Sequence, residues 1–266
     1  MTTTRQTNWD GDDGTHWADH DLRYDAMLAP LTPHLLDAAS PSAGESVIDV
    51  GCGCGNTTRL AAASAGDVLG VDLSAAMLAK ARQRAEEAGL TNVRFHQADA
   101  QRTPFEPADL VMSQLGVMFF DDPAAAFANL RRAGRRLAFL SWQGLEHNEN
   151  RSVLREAFGP YVGLPAPPTT GGALSLADPD RVRELLITAG FRDVELQDVR
   201  EPLVHGRDAD DAVAFGIAQP TTAEWLAGAE PDAAARATEA LRAAYAARET
   251  PDGVVLGSAA WLVTAR

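Results

Sequence analysis

The sequence has few cysteines, which argues against a protein held together by disulfides or by a zinc site. Cys52 and Cys54 are the two cysteines in 266 residues, and they stand too close together for an unstrained disulfide. Two thiols without further cysteine or clustered histidine do not make a zinc site, so no metal site is expected. We expect both to be small residues that fill a tight turn, and a reducing, cytoplasmic location is the corresponding expectation.

Positive charge and long hydrophobic runs are also scarce. Lysine and arginine total 23 against 37 acidic residues, which gives a net charge of -14 and disfavours nucleic acid as a partner. The pairs Arg131–Arg132 and Arg135–Arg136 flank a helix end and a strand start, where the helix dipole explains basic residues. No apolar run could span a bilayer, and the polar, acidic residues 1–13 do not resemble a signal peptide. We therefore expect a small-molecule partner and no membrane, while a homodimer stays open.

A glycine-rich turn between a strand and a helix is the most informative feature present. Val47–Val50 is predicted to be a short buried strand, and Gly51, Gly53 and Gly55 follow it before an alanine-rich helix. This order holds a nucleotide-like ligand at a helix N-terminus. The third glycine comes one residue too early for the dinucleotide fingerprint, and no Walker lysine follows. Asp49, two residues before the first glycine, suits a ligand with an ammonium group better than a phosphate.

Strands and helices alternate from residue 45 to residue 142, which predicts an α/β protein with a doubly wound parallel sheet. Ligands bind beyond the carboxyl ends of such strands. Asp72 ends the second predicted strand, Asp99 follows the third and Gln114 follows the fourth. These residues are therefore expected at the same edge of the sheet.

The stretch V-I-D-V-G-C-G-C-G resembles motif I of the class I S-adenosylmethionine-dependent methyltransferases. The segments Gly116–Pro123 and Ala189–Phe191 are similar to small-molecule methyltransferases of the ubiquinone/menaquinone-biosynthesis type. The resemblance covers about residues 45–200. It implies a Rossmann-like, doubly wound sheet of seven mostly parallel strands, whose last strand is antiparallel and inserted before the edge strand.

The resemblance also implies S-adenosyl-L-methionine as cofactor and assigns roles at the sheet edge. Asp49 would hold the methionine ammonium through water, and Asp72 would bind the ribose hydroxyls. Asp99 would accept a hydrogen bond from the adenine amino group. The other expected cofactor contacts are Gly51, Gly53 and Gly55 with Asn56 at the turn, Leu73 against adenine, Ala100 through its backbone, and Gln114 beside the methionine.

Methyl transfer requires alignment of acceptor, methyl and sulfur, with water excluded. A general base helps when the acceptor carries a proton, and the candidates are His20 and His147, with His16 as a third. Thr15 is predicted to cap a helix that begins at His16. Trp17, Tyr24 and Trp142 are expected to line the substrate pocket.

A single domain is expected over residues 1–266, without a second independent core. It would comprise an N-terminal helical cap (1–44), a cofactor-binding core (45–142) and two helical lid excursions (143–177 and 203–250). The predicted function is methyl transfer to an oxygen, nitrogen or carbon of a small molecule, with a role in secondary metabolism. The same cofactor-binding residues would also suit an enzyme that catalyses a rearrangement or cyclisation of a small molecule. A noncatalytic binding module is a third interpretation.

Overall fold

The computed structural model of the protein describes residues 8–166 and 172–266. The first seven residues of the predicted cap, and residues 167–171 of the first excursion, lie outside the described residues. Among the described residues, no helix combines the length and the apolar character needed to cross a membrane.

The fold is α/β and Rossmann-like, with one mostly parallel sheet, as predicted. The strands are β1 (Ser46–Val50), β2 (Asp67–Asp72), β3 (Val93–Gln97), β4 (Ala108–Gln114), β5 (Gly134–Trp142), β6 (Glu195–Gly206), β7 (Glu249–Thr250) and β8 (Gly253–Ala265). Seven of them follow the order β3-β2-β1-β4-β5-β8-β6, and the two-residue β7 pairs with β8 at its side. The last strand, β8, runs antiparallel to both β5 and β6, which confirms its expected insertion before the edge strand.

Eleven α-helices are described in addition to two short 3₁₀ helices, Val117–Phe119 and Leu145–His147. The α-helices are α1 (Asp12–Asp19), α2 (Asp21–Leu28), α3 (Thr32–Ala39), α4 (Asn56–Ala62), α5 (Ala75–Glu87), α6 (Pro123–Ala133), α7 (Glu149–Phe158), α8 (Pro179–Thr188), α9 (Ala209–Ala218), α10 (Pro220–Ala227) and α11 (Pro231–Ala246).

Central strand β1 explains why the carboxyl ends gather at one edge. Its residues Val47, Ile48 and Val50 are all buried without alternation, as expected for a strand covered on both faces. It pairs in parallel with β2 on one side and β4 on the other. The loops that follow β1 to β5 therefore meet at one edge, called the carboxyl rim below.

Helix starts in the core follow local capping chemistry. The Ser74 side chain accepts a hydrogen bond from the Met77 amide at the start of α5, and the Asp122 side chain accepts one from Ala125 at the start of α6. Both residue types are favoured at this position, because the side chains of Ser and Asp satisfy the free amides of a first helical turn.

The N-terminal helix differs from the prediction. It begins at Asp12 rather than at His16, so Thr15 lies inside α1 and does not cap it. Two acidic residues in the first turn favour this earlier start, because carboxylates stabilise the positive end of the helix dipole. The helix also breaks at His20, and a separate helix α2 follows.

A second hydrophobic cluster lies outside the main core and was not expected. It joins α7, α9 and α11 to the amino-terminal part of β8, and its largest fully buried side chains include Phe158 and Leu241. The two excursions are thus packed against each other, with Val254 and Leu256 of β8 beneath them.

Candidate cofactor and acceptor site

A cavity of about 270 Å³ opens at the carboxyl rim. Two groups of residues line it. The sheet rim contributes predicted cofactor contacts, namely Gly51, Gly53, Asp72, Leu73, Asp99, Ala100 and Gln114. The cap and the excursions contribute Trp17, Tyr24, Met27, Leu28, Asn150, Arg151, His205 and Gln219, and the end of β5 adds Trp142.

The glycine turn after β1 has a backbone that ordinary residues rarely adopt. Gly51, Gly53 and Gly55 have φ values of 67°, 53° and 78°. A Cβ atom at Gly51 would lie 2.8 Å from the Cα of Gly116, so glycine allows the loops after β1 and β4 to touch. Gly55 instead faces Phe95 and Ala81, and neither Gly55 nor Asn56 lines the cavity.

Asp49 lies fully buried beneath this turn and does not line the cavity. The hydroxyls of Thr57 and Thr58 both donate to its Oδ2 at 2.7 Å, whereas its Oδ1 has no partner. Burial raises the pKa of Asp49 to about 6. A buried carboxylate oxygen without a donor fits a site where water bridges to a cationic ligand.

Asp72 is buried and is one of the residues that line the cavity. Its Oδ2 accepts the amide of Gly53 at 2.8 Å, and its Oδ1 accepts the amide of Ser74 at 2.9 Å. Burial raises its pKa. These bonds fix the carboxylate between the glycine turn and α5, and each oxygen keeps a second lone pair for a hydroxyl donor.

The ends of β3 and β4 add further polar groups to the rim. Asp99 Oδ1 accepts the amide of Gln101 at 2.9 Å, and Leu73 nearby is 42% exposed at the cavity. The buried Oε1 of Gln114 has no partner in the described chain. Unpartnered oxygens at Asp49 and Gln114, together with the lining carboxylates, fit a cofactor that carries ammonium, hydroxyl and amino donors.

The N-terminal cap brings aromatic side chains to the same cavity. The rings of Trp17 and Tyr24 stack with centroids 3.6 Å apart and planes inclined by 4°. Arg84 of α5 holds this segment down, since its Nη1 lies 2.6 Å from Asp25 and 3.1 Å from Asp21. The predicted pocket residues Trp17, Tyr24 and Trp142 are thus brought together with the rim.

The structure does not bring the predicted bases to the cavity. His147 ends a 3₁₀ turn, is half exposed, and lies 3.7 Å from Glu146. The His20 ring packs against the rings of His16 and Phe215, and its Nδ1 lies 2.9 Å from the His16 carbonyl oxygen. None of the three candidate histidines lines the cavity, so their action as bases stays a prediction that this placement disfavours.

Asn150, Arg151 and His205 are lining residues that the sequence analysis does not single out. Asn150 and Arg151 lie in the first turn of α7, and His205 lies near the end of β6. Their only signal in the sequence is polarity within the predicted excursions. Which of their side chains enters the cavity depends on how α7 and β6 pack, and no local pattern encodes that.

Comparisons with known proteins agree with this geometry. Residues 47–136 match the family described as a methyltransferase domain. Aklanonic acid methyltransferase DauC of Streptomyces sp. strain C5 is 39% identical over 124 residues, which are 43% of this chain and 56% of that protein. Trans-aconitate 2-methyltransferase of Methylobacterium nodulans is 33% identical over 159 residues, or 58% of this chain and 57% of that protein.

Among solved structures, the YcgJ protein of Bacillus subtilis superposes with a TM-score of 0.62 at 16% identity, covering 89% of this chain and 97% of that one. That likeness shows the fold. The chain spans about half the length of the curated relatives that it matches. Residues 47–136, which hold the glycine turn and β1 to β4, thus resemble a methyltransferase domain, and the α/β fold around them agrees with that likeness.

Proposed function

We propose that this protein transfers a methyl group from S-adenosylmethionine to a small molecule. The observation that carries the proposal is the shared cavity, in which the rim carboxylates Asp72 and Asp99 meet the aromatic pair Trp17 and Tyr24. A polar cofactor and a largely apolar acceptor would then lie side by side. By their names, two relatives methylate aklanonic acid and trans-aconitate, which supports a small-molecule acceptor.

The rim residues would hold the cofactor in the roles that the motif resemblance suggests. S-adenosylmethionine supplies an electrophilic methyl group when bound. Asp49, with its unpartnered Oδ1, would hold the ammonium group through water. Asp72 would accept hydrogen bonds from the ribose hydroxyls, Asp99 would accept one from the adenine amino group, and Leu73 would pack against the ring.

Catalysis would rest on positioning rather than on a strong base. His205 is the histidine among the described lining residues. Burial and the nearby Arg23 and Arg151 lower its pKa to about 4, which makes it a poor base at neutral pH. Alignment and water exclusion by the cap can supply roughly 7–11 kcal/mol of the barrier. An acceptor that is already ionised or nucleophilic suits such a site.

The subfamily likeness and the division of the chain into a cap, a core and two excursions are parts of the same proposal. The segments Gly116–Pro123 and Ala189–Phe191 support a likeness to the ubiquinone/menaquinone-biosynthesis type. The division into a cap (1–44), a cofactor-binding core (45–142) and two acceptor-shaping excursions (143–177 and 203–250) is supported by the lining residues that α2, α7 and β6 contribute.

The test is transfer of an isotope-labelled methyl group. The protein is incubated with methyl-labelled S-adenosylmethionine and a library of small aromatic and alicyclic acids, alcohols and amines. We expect one acceptor to gain a single labelled methyl group, and the Asp72→Ala variant to lose this activity. An acceptor isomerised at unchanged mass would favour a rearrangement or cyclisation instead. Cofactor binding with no altered acceptor would favour a binding module.

A further inference from the structure

One arginine brings positive charge to the cavity. Arg151 lies in the first turn of α7 and is the one basic residue of the arginine and lysine type among the described lining residues. Arg151 is solvent-exposed, as expected for a group that projects into an open cavity. Burial and Arg155 lower its pKa to about 10, so the guanidinium stays protonated at neutral pH.

No side chain or carbonyl of the described residues pairs with the Arg151 guanidinium. The acid two residues earlier, Glu149, is engaged elsewhere: it accepts from Arg248 Nε at 2.6 Å and from the Gly257 amide at 3.0 Å. A solvent-exposed guanidinium without a protein partner keeps its five N–H donors available to an anionic ligand.

The start of α7 holds Arg151 at a defined place. The Asn148 side chain is fully buried, donates to the carbonyls of Gln143 and Ala259 at 2.9 and 3.0 Å, and accepts the Ala259 amide at 2.9 Å. This network fastens the first turn of α7 to β8. The arginine is thus presented from a rigid element, as selective recognition of a ligand requires.

Unpartnered polar atoms accompany the arginine. The buried Asn150 Oδ1 and His205 Nε2 have no hydrogen-bond partner in the described chain, and both residues line the cavity beside Arg151. His205 stays uncharged at neutral pH, because its pKa is lowered to about 4. Among the described residues that the cap and the excursions contribute to the cavity, the Arg151 guanidinium is therefore the one positive charge, and aromatic rings accompany it.

We propose that Arg151 binds a carboxylate of the methyl acceptor, so that the protein acts on carboxylic acids with an aromatic or alicyclic body. A guanidinium matches a carboxylate with two parallel hydrogen bonds and balances its single charge. A phosphate carries nearly two charges and would call for more cations than the described lining offers. The rings of Trp17, Tyr24 and Trp142 would cover the apolar body. This inference rests on the proposed methyl transfer for the role of the ligand.

The experiment compares an acid with its neutral isostere. The probes are 2-naphthoate and 2-naphthamide, titrated into the full chain with saturating S-adenosylhomocysteine and followed by tryptophan fluorescence. We expect the wild-type protein to bind the acid roughly tenfold or more tightly than the amide. In Arg151→Met this preference should fall to about twofold or less, with the amide affinity retained. Arg151→Lys should keep part of the preference.

The matched control is Arg155→Met, one turn later on α7. It removes the same charge from a residue that does not line the cavity and whose guanidinium donates to the Pro165 carbonyl. We expect this variant to keep the preference for the acid. Retained preference in Arg151→Met, equal binding of acid and amide by the wild type, or no binding of the acid would overturn the inference. Tighter binding of 2-naphthyl phosphate than of the acid would overturn the carboxylate assignment.

Binding of S-adenosylhomocysteine is measured separately, so the two proposals can fail independently. If it binds but the acid preference is absent, the carboxylate inference fails alone. If it does not bind while the acid preference depends on Arg151, the methyl-transfer proposal fails and the anion site stands.

Discussion

Replacing Asp49 with asparagine should change how stability depends on pH. In the folded protein, burial raises the pKa of Asp49 from 3.8 to about 6. The folded state therefore binds more protons than the unfolded state between these values, and the wild type loses stability as the pH rises through this window. The difference between these two pKa values lowers the free energy of unfolding by about 3 kcal/mol at a pH where Asp49 is ionised in both the folded and the unfolded state.

Asparagine does not ionise, so the free energy of unfolding of Asp49→Asn does not contain this pH-dependent loss. The difference in free energy of unfolding between variant and wild type should grow in favour of the variant by about 1.5 kcal/mol from pH 5 to pH 8, which is half of the full effect. Altered hydrogen bonds from Thr57 and Thr58 add a constant to that difference and leave its slope unchanged.

Urea unfolding of the ligand-free protein at several pH values, followed by tryptophan fluorescence, measures this slope. Asp67→Asn is the control, because it removes a partly exposed carboxylate from the start of β2. We also expect Asp49→Asn to bind S-adenosylhomocysteine about tenfold more weakly, since the charge that balances the ammonium group is gone. A difference that stays flat from pH 5 to pH 8 would refute the account of Asp49 as a buried, unbalanced carboxylate.

Three further variants test other parts of the site. Gly51→Ala should lose about 1–3 kcal/mol in urea unfolding, because its Cβ meets the facing loop at 2.8 Å; Gly44→Ala, which has a similar positive φ but open space, should lose less. Arg84→Met should cost about 1–3 kcal/mol in the same assay, because Asp21 and Asp25 both lose their ion pair with it and Asp25 keeps, among the described residues, only Arg59 at 3.9 Å. His147→Ala should leave turnover within about twofold, since this half-exposed side chain does not line the cavity; a turnover loss of about a hundredfold, typical of a lost general base, would restore it as a catalytic residue.

The carboxyl rim could be predicted from the sequence because its signals are local. A buried strand that ends at Val50 and is followed by three glycines at alternate positions indicates a tight turn, and the acid Asp72 ends the next strand near its expected place. The parallel order then brings Asp72 and Asp99 to one cavity. The antiparallel β8 was expected from the family resemblance, and no periodicity in its residues required that position.

The acceptor side depended on packing that local patterns do not encode. His147 follows β5 at the correct rim, yet the 3₁₀ turn Leu145–His147 leaves its side chain half exposed beside Glu146. Arg151, only four residues later, lines the cavity because buried Asn148 fastens the start of α7 to β8. The order of strands along the chain predicts which edge of the sheet a residue lies near. Whether its side chain enters the cavity depends on contacts between segments that are distant in sequence.

Calorimetry with S-adenosylhomocysteine measures whether the carboxyl rim binds the cofactor through the Asp72 carboxylate. The matched pair is Asp72→Ala at the carboxyl end of β2 and Asp67→Ala at its other end. We expect the wild type and Asp67→Ala to bind S-adenosylhomocysteine, and Asp72→Ala to lose affinity by about a hundredfold, because the Asp72 carboxylate also orders the Gly53 amide. Unchanged affinity in Asp72→Ala, with its fold intact by circular dichroism, would contradict the account.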